Sequence, residues 1–238
     1  MSWTRAFWGK HPAFTDYIRI NADEKMFYAF VNLINSGWKK AVPRDAGRGS
    51  RCSIRFWAVP QGSSSMACGM ITECRDAAGR RAPVLCAIKG SLPKSVRQGW
   101  EMLNLQCLAA WNDMADLMER GFDSISEFKE SLSRISPPDF EAERLRADSG
   151  EMEAVRKGVR TRLAADSTVF ARQKTLCFNA GNGIGTGRGC FLWMKAIKEA
   201  VDVMPDSVFI RDSDSRKELY LYYRPLTAAD LQMNESSG

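Results

Sequence analysis

Three strand-like runs lie close together in the first half of the chain, and their spacing constrains the fold more than any other feature. Residues 53–59 (Ser-Ile-Arg-Phe-Trp-Ala-Val) end at Pro60-Gln-Gly62. Residues 65–74 contain Gly69 and lead into the turn Asp76-Ala-Ala-Gly79. Residues 82–89 (Ala-Pro-Val-Leu-Cys-Ala-Ile-Lys) end at Gly90. Strands joined by connections this tight imply an antiparallel meander.

Helical patterns flank this block. Upstream, residues 3–8 read as a first strand with large aromatics at each end, broken by Gly9-Lys-His-Pro12. Asn21 followed three positions later by Glu24 reads as a capping box. Phe27, Phe30, Val31, Ile34, Trp38 and Ala41 then recur at helical spacing, and Pro43 with Gly47-Arg-Gly49 ends the run. Downstream of Leu92-Pro93, the stripe Trp100, Leu103, Cys107, Leu108, Trp111, Met114, Leu117 and Met118 predicts one long helix over 95–119. Ser124 and Glu127 form a second capping box, opening a short helix with Phe128, Leu132 and Ile135 that Pro137-Pro138 stops. Residues 140–165 are charged and helix-forming, a solvated helix or connector.

A strand at 174–179, a glycine-rich loop at 181–189, a helix over 192–203 and a hairpin pairing 208–211 with 218–223 close the chain. Its last five residues read as disordered. Strands, then helices, then strands favour an α+β fold, a mainly antiparallel sheet with helices packed against it. The division expected is an α+β domain over 1–136 and, over 137–238, a helical connector with a small α/β subdomain packed on it.

Composition narrows the function. The longest apolar run is Met26 to Val31, six residues. A membrane-spanning helix needs about 20, so no membrane insertion is expected. Residues 1–10 have no apolar core of leader length, which makes the cytoplasm the expected compartment. The seven cysteines are odd in number, lack any CxxC, and several lie in apolar runs. Reduced, buried thiols fit better than a disulfide framework or a zinc pair. The net charge of +6 is spread over many residues; no basic stripe interleaved with aromatics suggests nucleic-acid binding.

Motifs for chemistry are sparse. His11 is the single histidine, so any Ser–His or Cys–His hydrolase must use it. Its place between Lys10 and Pro12 suits a polar loop residue. The segment Gly181-Asn-Gly183-Ile-Gly185-Thr-Gly187-Arg-Gly189 follows a strand and precedes a helix, where backbone N–H groups can cradle phosphate. It nevertheless matches neither G-x-G-x-x-G nor the Walker pattern. Asp23 and Glu24 suit a first helical turn, and Asp16 suits a turn or helix cap. Trp38, Trp100 and Trp111 read as core. Residue chemistry alone implies no catalytic site, no metal and no cofactor.

A family resemblance goes further. Phe7-Trp8-Gly9-Lys10-His11-Pro12, followed by Asp16-Tyr17-Ile18, resembles the opening motif of the TagF/ImpM proteins of bacterial type VI secretion. Ile54-Arg55-Phe56 resembles that family's Trp-Arg-Phe strand. Gly69-Met70-Ile71 with Asp76-Ala-Ala-Gly79-Arg80-Arg81-Ala82-Pro83 resembles its Asp-x-x-Gly-Arg segment. The resemblance is carried by about residues 5–115. The chain departs from the pattern where Thr15 replaces Gly, Tyr17 replaces Phe, and Ile71-Thr72-Glu73 replaces Met-Pro-Ser.

The resemblance implies a non-enzymatic, cytoplasmic accessory protein. Such a protein represses secretion post-translationally through contacts with a forkhead-associated scaffold protein. The matched loops supply candidate partner-binding or loop-fixing residues: Trp8, Gly9, Lys10, Pro12, Asp16, Arg55, Asp76, Gly79 and Arg80. In the simplest reading Gly9, Pro12 and Gly79 fix turns while Arg80 pairs with Asp16 or Asp76. The alternative function is a nucleotide- or anion-binding module using loop 181–189.

Overall fold

The computed structural model describes residues 2–41, 53–141, 149–179, 187–213 and 216–231. The meander forms as its spacing requires: β3 (Ser53–Ala58), β4 (Ser65–Arg75) and β5 (Arg81–Ser91) pair antiparallel in sequence order. β1 (Thr4–Lys10) joins the free edge of β5, and β2 (Tyr17–Ile20) folds back on β1. On the other side β3 pairs with β7 (Ser207–Ser213), which continues to β8 (Arg216–Tyr222) and β6 (Thr175–Asn179). The result is an eight-stranded antiparallel sheet in the order β2-β1-β5-β4-β3-β7-β8-β6, and the fold is α+β. The 136/137 boundary falls between two helices. Across it, the register Ser53–Asp212 to Ala58–Ser207 joins both parts in one sheet.

Side chains alternate across each strand, so the sheet has two apolar faces. Phe7, Trp57, Cys68, Cys86, Val208 and Leu221 point to one. Covering it are α2 (Lys94–Gln98), a 3-10 turn (Trp100–Met102), α3 (Leu103–Gln106), α4 (Leu108–Glu119), α5 (Ile125–Ser133), α6 (Ser149–Gln173) and α7 (Gly187–Val201). Trp8, Ile54, Phe56, Leu85, Phe209 and Tyr222 point to the other, under α1 (Lys25–Ala41) and α8 (Ala228–Leu231).

Several expectations change. The long helix over 95–119 is broken at Gly99 and again at Cys107. Gly is a poor helix former, and the breaks let Trp100, Met102, Leu103 and Trp111 all bury. Asn21 does not cap α1, because it adopts φ +50° and donates from Nδ2 to the Arg5 carbonyl. Glu24 is the cap instead, accepting from the Met26 N–H at 3.1 Å. At the second capping box Ser124 Oγ accepts from the Glu127 N–H as expected, while the Glu127 carboxylate reaches one residue further back and accepts from the Asp123 N–H. The charged stretch beyond 140 becomes a 25-residue helix that buries Met152 and Val159 against the core. The Trp38 side chain, the helix stop at Pro43 and Gly47–Gly49, the glycine segment 181–186 and the terminal tail lie outside the described residues.

Candidate functional site

Two of the motifs that carry the resemblance, separate in sequence, meet in space. Asp76 is the hub. Its side chain is buried and accepts from Lys10 Nζ at 2.5 Å, Arg80 Nε at 2.8 Å, the Arg80 N–H at 2.8 Å and the Ala78 N–H at 3.0 Å. These donors, Lys10 foremost, hold its carboxyl far below the usual carboxylate range. Lys10 Nζ also reaches the Thr15 carbonyl, and Arg80 donates to that same carbonyl at 3.0 Å. The loop after β1 and the turn before β5 are thereby tied together by charge-assisted bonds.

The glycines in these motifs have backbone roles. Gly9 lies in β1 at φ +131°, and a Cβ there would sit 2.6 Å from the Pro83 carbonyl oxygen. Gly79 closes the 76–79 turn at φ +77°, with its N–H bonded to the Asp76 carbonyl, a conformation suited to glycine. Trp8 is buried under α1. Pro12 and Asp16 are exposed, and Arg80 pairs with Asp76. Arg55 does not join the cluster. It leaves the centre of the sheet, two strands away from β5, toward Asn104, Trp111 and Cys190, and its Nε has no partner among the described residues.

What the cluster presents outward is aromatic and basic. Tyr17 is 50% exposed at the edge strand, in ring contact with Trp8 and 5.6 Å from Lys10 Nζ. Arg80 exposes most of its side chain. Tyr17 is a candidate that the motif residues alone do not supply. The signal for it is the alternation of β2, which turns Tyr17 and Arg19 out and Ile18 in.

His11 is fully buried against Phe7, Phe14, Phe122 and Phe128. Its Nε2–H donates to the Leu117 carbonyl at 2.9 Å, and Nδ1 accepts from the Ala13 N–H at 3.1 Å. Burial pulls its pKa down, against the Leu117 bond. Both ring nitrogens are committed to backbone, so neither activates a nucleophile. His11 does lie in the loop after β1, as its neighbours suggest, but that loop is packed inward and its ring belongs to the core.

Burial likewise pushes the Cys190 thiol up to about 12 and the Cys86 thiol well above its ordinary range, as expected of buried, unreactive cysteines. Among the described residues no group of three or more His, Cys, Asp or Glu could hold a metal ion. No described helix is long and apolar enough to cross a membrane.

No family model matches the chain, and no curated protein matches it. Among solved structures it is similar to PA0076 of Pseudomonas aeruginosa PAO1. That likeness has a TM-score of 0.49 and 12% sequence identity over 99% of this chain and 96% of that one.

Proposed function

We propose that this protein is a non-enzymatic accessory regulator of a bacterial type VI secretion system. It acts in the cytoplasm by binding a component of the apparatus, a forkhead-associated scaffold being the family's partner, and withholding it from assembly. The observation that carries the reading is the convergence of the Gly9-Lys10-x-Pro12 and Asp76-x-x-Gly79-Arg80 motifs on one buried carboxylate. Through it a rigid edge displays Tyr17 and Arg80, and Tyr and Arg are the residue types that most often anchor interfaces. The test is secretion of the tube protein by cells that overproduce the chain or lack it. Excess should lower secretion, and the pair Tyr17→Ala, Arg80→Glu should relieve that block. Equal secretion in both strains would overturn the reading.

One observation favours a second reading, an anion-binding module. The unpartnered Arg55 Nε lies beside Gly187, where α7 begins, in a small cavity of about 20 Å³ that Arg211 and the Lys217–Asp212 pair also line. Phosphate should then raise the melting temperature, and Arg55→Gln should remove the rise.

A further inference from the structure

His11 sits where β1, the loop at 11–16 and the 120–124 connection between α4 and α5 meet. A backbone N–H can only donate, and a carbonyl can only accept. The contacts of Nδ1 with the Ala13 N–H and of Nε2 with the Leu117 carbonyl therefore fix one neutral tautomer, its proton on Nε2. A second proton, on Nδ1, would face the Ala13 donor and cost that bond. It would also place a charge among Phe7, Phe14, Phe122 and Phe128, and a buried ion without a counter-charge is costly.

Among the described residues no carboxylate pairs with the ring; burial and the Leu117 bond alone act on its proton. On α4, Asp116 and Glu119 are exposed. In the connection Asp123 is exposed, and Arg120 lies 5.4 Å over Phe122. On α5, Glu127 is turned to Arg120 and the Asp123 N–H. Next to the ring in sequence, Lys10 is held by Asp76, and Asp16 is exposed.

The ring is also the first link of a chain of contacts that ends at the Tyr17–Arg80 edge. The His11 carbonyl accepts from the Phe14 N–H, and the Phe14 carbonyl accepts from the Ala77 N–H. The Thr15 carbonyl accepts from Lys10 and Arg80, two residues before Tyr17. Phe14 packs its ring on His11 and Phe128. Loop 12–16 belongs to no ladder, whereas β1 is paired on both sides. Opening the loop therefore disrupts far less than opening the sheet.

We propose that His11 is an acid-operated latch: neutral, it holds loop 12–16 against α4 and α5; protonated, it leaves its aromatic site and releases that loop, with the Tyr17–Arg80 edge, while the sheet stays folded. Because burial lowers the pKa of the ring, the release lies below the ordinary value of 6.5. The edge is assembled at neutral pH and lost on acidification. The consequence for a partner rests on the reading of that edge as a binding surface; the release of the loop does not.

The test uses the purified full chain alone. Amide hydrogen exchange is followed by NMR from pH 7.5 to 5, together with the titration of the His11 ring. The Ala13, Phe14 and Ala77 amides should exchange through an opening much easier than that of the β4 and β5 amides. Below pH 6.5 that opening should become about tenfold more populated per pH unit, the slope that one proton imposes. The Tyr17 and Arg80 resonances should shift in step with the ring. His11→Asn, which takes up no proton, should give a flat profile. If that variant fails to fold, the slope in the native chain still decides.

Protection of Ala13 and Phe14 that does not change with pH would overturn the latch. So would loop amides protected as strongly as β4 and β5 at every pH, which would make release and global unfolding one event. Tyr17 and Arg80 resonances that ignore the ring titration would uncouple the edge from His11 and overturn it too. No partner and no secretion enter these readouts, so their failure and a failure of the secretion assay are separate results.

Discussion

The two faces of the sheet are closed by different means. One face buries Trp57, Trp111, Met114 and Phe128 beneath six helices and a 3-10 turn, and Trp57 donates to Asn104 at 2.6 Å across the packed layers. The other buries Phe30 against Phe56 at 4.4 Å beneath α1 and α8, and then opens into a groove. The same alternating strands supply both faces, so the difference lies in what covers them. Among the described residues the first, thick face is closed by six helices, and the second, thin face by one long helix and one short one.

Core truncation is the most severe way to break that comparison. Trp111→Ala on the thick face should cost about 3–5 kcal/mol, read as a fall in the urea midpoint at unchanged slope. Leu33→Ala, half-buried at the groove, should cost about 1 kcal/mol. Equal losses would mean that the two faces are not energetically distinct.

A second, smaller effect concerns how each face is sealed beside the loop after β1. Lys10 leaves β1 on the same side as Trp8 and is held by Asp76; His11 turns to the thick face among four aromatic rings. Asp76→Asn should lower the melting temperature more than Arg80→Ala, because it leaves the buried Lys10 cation without its counter-charge. Arg80 is mostly exposed, and its loss should cost at most about 1 kcal/mol. The reverse order would place the organising charge on Arg80.

Protonation separates the two seals further. The His11 pKa is lowered in the fold, so the unfolded chain takes up the proton first. Its contribution is intact above the unfolded value of about 6.5 and is lost as pH falls below it. The Asp76 carboxyl is also lowered, so its contribution is intact above about 3.9 and is lost only below that. Stability should therefore fall in two stages on acidification. His11→Asn should remove the first stage, measured as the slope of unfolding free energy between pH 7 and 5. A single stage below pH 4 in the native chain would show that His11 carries no such linkage.

Much of this fold was legible in the residues. Short turns at 60–64 and 76–80 leave an antiparallel meander as the economical arrangement, while the continuous apolar run 66–71 hides which face each residue takes. What was not legible is long-range. Nothing local says that β7 pairs with β3 across about 150 residues, or that Gly99 and Cys107 divide a stripe that reads as one helix. At the site, the sequence offers Arg80 either Asp16 or Asp76, and the tight turn of the structure selects Asp76. The burial of Lys10 and His11 does not follow, since a Lys-His-Pro sequence looks like surface loop until α4 and α5 pack over it. The groove was invisible because its walls come from five separate stretches of chain.

The smallest expected effect bears most directly on the thin face. The Asp206 carboxyl is held above its ordinary range by burial, opposed by its bond to Gln61. A raised folded pKa means that the group supports folding below the unfolded value of about 3.9 and opposes it as pH rises through the folded value. At neutral pH the charge is therefore a cost that the fold carries. Asp206→Asn keeps the shape and an acceptor for Gln61 and removes the charge, and the backbone bonds from Val59 N–H and to the Tyr222 carbonyl are untouched. The variant should melt slightly higher than the native chain at pH 7, with the difference gone near pH 3. A lower melting temperature for Asp206→Asn at pH 7 would instead make the carboxylate a structural part of the groove's wall, and the thin face a thinner version of the thick one.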